Sequence, residues 1–238
     1  MMHQSTVAIH QPNYLPWLGF FHKLVHSDVF VVLDDVQIQK TRSSWVNRTQ
    51  ILYAGKPRWL TIPINRPSGV RQIQLTTILE DGLWRKSHRG CLHEAYRRAP
   101  YYKGLSDFLD GLYEVRANSL LEFNLSAMRA VLDLLGLSDA RKLVMASSFA
   151  VDLQGTDRLI ELVKRVGGDS YLCGSGSSGY LEPKEFDVAS VNLVLQNFSE
   201  VSRSQFGTTT FVAGLSIIDA LLTHGPIQTR GFLESSTG

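Results

Sequence analysis

The chain has only two cysteines in 238 residues, Cys91 and Cys173, far apart and without CxxC spacing. That scarcity excludes a disulfide framework and a thiolate zinc site, and it fits a reducing cytosol. A dominant charge is missing too: 24 Lys and Arg face 22 Asp and Glu, a formal net charge of +2, with no block of like charges. Non-specific nucleic-acid binding therefore has no electrostatic footing. No stretch approaches the roughly 20 apolar residues that span a bilayer, and the opening MMHQST has neither a basic nor an unbroken apolar segment. The expectation is a soluble, cytoplasmic protein with no membrane span and no nucleic-acid partner. Internal repeats and low-complexity linkers are absent as well. With 44% apolar residues the chain can bury one sizeable core, so residues 1–238 read as a single domain.

What is present has the rhythm of an α/β fold. Val7-Ala8-Ile9 is a short apolar run stopped by His10 and Pro12, a buried strand ending in a loop. Pro16 suits the first turn of a helix, and Trp17, Phe20, Phe21 and Leu24 follow at helical spacing. VFVVL at 29–33 is near-continuously apolar, like a strand covered on both faces, which predicts a βαβ unit with a parallel pair. Residues 37–78 form a long excursion with strand-like runs such as WLTIPI at 59–64. A mostly helical insertion follows near 80–136, where Ser119 and Glu122 make a capping box and Gly136 a stop. After KLVMASS, one apolar face from Leu159 to Val166 marks a helix ended by Gly167-Gly168, and SYLCG at 170–174 reads as a buried strand. A short helix near Pro183, the strand VNLVLQNF and a final helix LSIIDALLTHG complete the chain. The fold class is α/β, with a Rossmann-like parallel sheet flanked by helices.

Four clusters carry candidate chemistry. His10, Gln11 and Asn13 fall at the carboxyl end of the first strand, where open α/β sheets bind ligands; a turn capped between two prolines would use the same residues. Asp34 and Asp35, with Gln37 behind them, end the second strand. If the two strands are adjacent, one carboxylate lies near His10 to orient its ring or bind a ribose, amine or metal, although Asp also favours strand-end turns. QIQKTRSSWVNRTQI sets Lys40, Arg42, Asn47 and Arg48 around Trp45, suited to gripping an anion while stacking on a ring, and equally the composition of a solvated basic loop. CGSGSSGYLEP offers backbone amides to an anion, with Gly174, Ser175 and Tyr180 as candidate contacts. It lacks the Gly-Lys-Ser/Thr of a Walker loop, and no acidic residue stands where a dinucleotide site needs one. Cys173, in an apolar strand, reads as core more readily than as a nucleophile. His22 and His26, four apart, allow a metal pair without an identifiable third ligand and read as a surface pair; His88 and His93 join Trp84 and Tyr96 on an amphipathic helix face.

HQPNYLPWLGFFHKL, LDDVQIQK, Asn47-Arg48, YLCGSGSSGYL and LSIIDALLTHGP together resemble the WbqC-like protein family, over about residues 7–227. The resemblance implies a bacterial protein of lipopolysaccharide O-antigen or other surface-glycan pathways. Matching positions include His10, Gln11, Pro12, Asn13, Pro16 and Trp17, then Asp35, Gln37, Lys40, Asn47 and Arg48, and later Gly174, Tyr180, Asp219 and Gly225. Cys173 stands where a serine is more usual, and residues 199–212 lack the expected Tyr-Pro run.

The resulting expectation is a transferase acting on an activated small substrate, a nucleotide-linked sugar or an activated acyl or aminoacyl group. His10, Asp35 and Lys40 would be catalytic, His10 as general base or oxyanion donor with Asp35 orienting it, and Lys40 with Arg48 would clamp phosphate. Gln11, Asn13, Trp17, Asp34, Gln37, Trp45, Asn47, Gly174, Ser175 and Tyr180 would line the substrate. No cofactor follows from these features, although they suit a nucleotide or nucleotide-linked substrate, and a metal requirement and the oligomeric state are left open. Two alternatives stand beside this reading. One is a nucleotidyl-transfer or adenylate-forming enzyme, since strand, histidine, proline and helix open such folds. The other is a non-catalytic binding subunit of a glycan-assembly pathway.

Overall fold

The computed structural model describes residues 5–38, 44–65, 71–138, 143–174 and 181–235. A five-stranded parallel sheet carries β1 (Thr6–His10), β2 (Val29–Val32), β5 (Leu143–Met145), β6 (Ser170–Cys173) and β7 (Asn192–Leu195) in the order β5-β2-β1-β6-β7. The βαβ unit closes as the sequence predicts, through α1 (Leu18–Val25), and pairs Val7 with Val29 through His10 with Val32. Seven helices flank the sheet among the described residues.

Alternation along β1 sorts two cores. Val7 and Ile9 face α5 (Gly155–Arg165) and α6 (Pro183–Val188), with Ile160, Val163, Cys173 and Phe186 in the same apolar cluster. Ala8 joins Phe20, Phe21 and Leu24 of α1 in a larger cluster that also takes in the segment between β2 and β5. That segment starts with a hairpin, β3 (Arg48–Tyr53) and β4 (Lys56–Thr61), and continues through α2 (Leu83–Tyr96), α3 (Ser106–Glu114) and α4 (Leu120–Leu134). The Ser119 hydroxyl caps α4 by accepting from Glu122 N, and Gly136 ends it at φ +65°.

The last helix, α7 (Ile217–Glu234), runs past the stop that Gly225-Pro226 suggests. Pro226 has no N–H for the carbonyl four residues back, and Tyr101 N takes that carbonyl, Leu222 O, at 3.1 Å. Gly225 absorbs the kink at φ +78°, ψ 170° with the Tyr101 ring against it, so helical packing resumes beyond the break.

Candidate functional site

From β1 the chain goes outward to β2 and β5 on one side and then to β6 and β7 on the other. Such a reversal leaves a crevice outside the carboxyl ends of the two strands where the order switches, here β1 and β6. His10 ends β1, and Cys173 followed by Gly174 ends β6.

His10 is held in one tautomer. Its Nδ1–H donates to the Gln11 carbonyl at 2.9 Å, an acceptor without a proton to give, so Nε2 keeps the lone pair. The ring stands edge-on to Phe20, with centroids 5.0 Å apart. Burial, with the Lys23 charge adding to it, lowers its pKa to about 4, so the ring is neutral at pH 7.

The loop from Gln11 to Trp17 is tied down from four directions. Asn124 of α4 donates through Nδ2 to Pro12 O at 2.8 Å and to Val46 O at 2.7 Å, clasping this loop to the one before β3. Tyr14 N donates to Trp45 O at 3.1 Å, and Ile217 N to Pro16 O at 2.9 Å. Leu15 sits at φ +38°, a strained setting for a residue with a side chain. Its carbonyl accepts from Thr49 Oγ1 at 2.9 Å and Ser216 Oγ at 2.8 Å, which hold it there. Below the loop, His88 Nε2–H donates to Thr61 O, so its Nδ1 accepts from the Tyr14 hydroxyl at 3.1 Å, and the Tyr113 hydroxyl donates to Tyr14 at 2.7 Å. Strain and buried polar groups are thus concentrated in one loop, which its bonds hold in a single shape. Replacing Asn124 with Ala leaves two buried carbonyls unpaired, and a loss of about 2–4 kcal/mol in urea unfolding is expected; a loss below about 0.5 kcal/mol would show that the clasp is not structural.

The strand-end carboxylates are occupied. Asp34 is buried and accepts from Ser147 N at 2.9 Å and Ser147 Oγ at 2.6 Å, joining the ends of β2 and β5. Asp35 takes Arg158 Nη2 of α5 on both oxygens at 2.7 Å. Asn47 donates to Ile62 O at 3.0 Å. Among the described residues no hydrogen bond joins His10, Asp35 and Asn47, so the Gln11 carbonyl, and not Asp35, orients the imidazole. Parallel strands do bring the ends of β1 and β2 side by side, but Arg158 and Ser147 claim the acids first.

Arg48 stacks its guanidinium on Trp59 at 3.7 Å, and Trp59 in turn meets Trp45 at 4.8 Å between centroids. This aromatic and cationic group stands beside the Tyr14 loop, with Arg48 on Trp59 and not on Trp45, the ring the sequence sets at the centre of the cluster. Trp17 precedes α1 and packs edge-on against Phe198 at 5.6 Å. Gln37 is exposed and bridges to Gln72. Gln11 and Gly174 are half-buried at the crevice, and Asn13 is buried in the loop. Lys40, Arg42, Ser175 and Tyr180 lie outside the described residues.

Sequence patterns missed two contributors. Lys23 reaches back from α1 with Nζ 3.2 Å from Ile9 O, and burial lowers its pKa to about 8. It sits on a helix buried nearly all round, which is the one signal that could have flagged it. Gln196, just past β7, donates to Gly19 O at 2.7 Å and bonds His22 Nδ1 at 3.1 Å. His22 is therefore buried and not part of a surface pair, with exposed His26 stacked on it at 4.0 Å. His88 faces inward with Trp84 and Tyr96, whereas His93 is exposed and bonds the Tyr102 hydroxyl at 3.0 Å.

Comparison with known proteins agrees with the fold-wide resemblance. The WbqC-like protein family matches residues 11–230. An uncharacterized protein of Mycobacterium tuberculosis, Rv1507c, is 27% identical over 224 residues, covering 93% of this chain and 94% of that one. No solved structure matches the chain.

Proposed function

Because the chain belongs to the WbqC-like protein family, we propose that it is a transferase working at the β1–β6 crevice on an activated small substrate, a nucleotide-linked sugar or an activated acyl or aminoacyl group, in surface-glycan or related biosynthesis. The observation that carries this reading is His10 itself: neutral, fixed in one tautomer by the Gln11 carbonyl, and set at the switch point of a parallel sheet. An Nε2 lone pair in that position takes the proton of an acceptor hydroxyl or amine as it attacks the activated carbon. The leaving phosphate or carrier needs cationic and amide donors. Arg48 on its tryptophan, Lys40 and the glycine-rich stretch from Gly174 are the groups assigned to it. Asp34 and Asp35, held by Ser147 and Arg158, would fix the neighbouring strand end from behind. The long fixed loop supports a preorganised site, in which rate comes from positioning as much as from proton transfer.

A thermal-shift panel of nucleotides, nucleotide sugars and amino acids identifies the ligand class, and product formation is then followed with each compound that stabilises the fold. His10→Asn is expected to lower turnover by roughly 10²–10⁴-fold with circular dichroism unchanged. Full turnover in that variant would remove His10 from the chemistry. Pyrophosphate release from ATP on adding carboxylic acids, with no group transfer, would instead place the protein with adenylate-forming enzymes.

A further inference from the structure

Lys23 is a charge in the crevice that the fold does not account for. It is 5% exposed, and among the described residues no carboxylate pairs with it. Its ammonium has three hydrogens to donate; Ile9 O accepts one at 3.2 Å, and the Tyr171 ring lies 5.7 Å away. The place matters. His10 O accepts from Leu33 N at 2.9 Å on the β2 side, and neighbouring carbonyls along a strand point to opposite sides, so Ile9 O faces β6. The β1–β6 register ends at Ala8 and Leu172, while β1–β2 continues to His10 and Val32. Lys23 thus brings its charge to the mouth of the β1–β6 seam, where the sheet opens. A buried ammonium with no counter-ion and incomplete hydrogen bonding costs stability, and hydrophobic replacements at such sites are often neutral or stabilising.

We propose that Lys23 is the anion-binding residue of the crevice, its ammonium receiving a phosphate or carboxylate group of the ligand at the open end of the β1–β6 seam. The proposal rests on the reading that the crevice binds substrate. Among the described residues the groups facing the ammonium are His10 on β1 and Tyr171 and Cys173 on β6, and none of these brings a fixed negative charge. Burial alone holds the Lys23 pKa near 8, with Cys173 acting in the opposite direction. A bound anion raises that value, and the same linkage makes anion affinity fall as pH climbs past 8.

Calorimetric titration with inorganic phosphate, pyrophosphate and acetate, on the full chain, tests this and separates a phosphate from a carboxylate ligand. Lys23→Met is expected to weaken whichever anion binds by at least about tenfold, to be no less thermally stable than the parent, and Lys23→Arg to recover part of the affinity. In the parent, the lysine side-chain resonance missing from Lys23→Met is expected to titrate near 8 and to move up by about one unit or more, a tenfold linkage, when the anion saturates. Undiminished anion binding in Lys23→Met, or a Lys23 midpoint that the anion leaves in place, would overturn the proposal. Should Lys23→Met fail to fold, the resonance missing from Lys23→Arg identifies Lys23, and the titration on the parent still decides. Anion binding lost in Lys23→Met, together with no group transfer by the parent on any panel compound, would uphold this site and sink the transferase reading. Turnover and anion binding both intact in Lys23→Met would sink the site alone.

Discussion

Acidification from pH 6.5 to pH 4 is expected to unfold the protein. His88 is buried, His10 is half-buried against Phe20 and His22 lies under Gln196 and His26; desolvation, the largest cause at each, lowers each pKa from 6.5 to about 4. In the unfolded chain they bind protons near pH 6.5, so between those values the unfolded state holds more protons than the fold. Stability contributed above pH 6.5 is therefore lost as pH falls toward 4, by up to about 3 kcal/mol for His10 or His88 and by less for His22, whose charge solvent partly screens. Three rings approach the whole stability of an ordinary domain, about 5–15 kcal/mol. Asp219 acts in the opposite sense. Burial raises its carboxyl above the usual range, so acid favours its folded form, but it titrates at one site against three. For His88 the structural reason is explicit. Its Nδ1 accepts from Tyr14 only while unprotonated, and a second N–H there forces the Tyr14 and Tyr113 hydroxyls to reverse their bonds. Urea melts at pH 7.5, 6, 5 and 4.5 give the slope. A His88→Gln variant is expected to be less stable at neutral pH but flatter toward acid. Stability unchanged down to pH 5 would show that these rings are solvated and not buried.

Gly225→Ala is expected to destabilise the fold by roughly 2–4 kcal/mol. A Cβ at that position meets the Tyr101 ring at 2.4 Å, and φ +78° is unfavourable for a side chain in any case. The Tyr101 backbone is fixed there by its bond to Leu222 O, so the ring gives way only by turning about its own side-chain bonds toward solvent. The double variant Gly225→Ala, Tyr101→Ala is expected to recover the steric part and keep the backbone part, which chemical denaturation of the four proteins in the cycle resolves. Equal losses in the single and double variants would assign the whole effect to backbone strain.

Much of the sheet is legible in the sequence, because β1, β2 and β6 are short apolar runs bounded by loop residues, and burial on both faces leaves no polar alternation to confuse them. The helical insertion is legible too, since α2 and α4 carry helical periodicity and α4 a capping box. The β3–β4 hairpin is only half visible. Lys56 and Arg58 face outward on a strand whose exposed side looks like loop composition, leaving WLTIPI as its trace. The kinked course of α7 is hidden for a different reason. Gly-Pro signals a stop, and only the partner that takes Leu222 O, from a segment distant in sequence, lets the helix resume.

At the site, His10 is legible because a polar cluster interrupts an apolar strand at its end. The partners of Asp34 and Asp35 are not, since Ser147 and Arg158 lie more than a hundred residues away and a one-dimensional pattern carries no such pairing. Asn124 is hidden by comparable distances, and Lys23, only 14 residues from Ile9, is hidden because it is an ordinary polar residue on a helix until the fold shows which carbonyl it meets.

The most direct test of the crevice is a crystal structure of the protein soaked with the panel compound that stabilises it most. The ligand is expected across the carboxyl ends of β1 and β6, within hydrogen-bond reach of His10 Nε2 and with an anionic group toward Lys23. Ligand density instead in the open cleft of about 520 Å³ lined by Arg89, His93, Tyr102 and Asp110 of the helical insertion, with His10 untouched, would contradict the account.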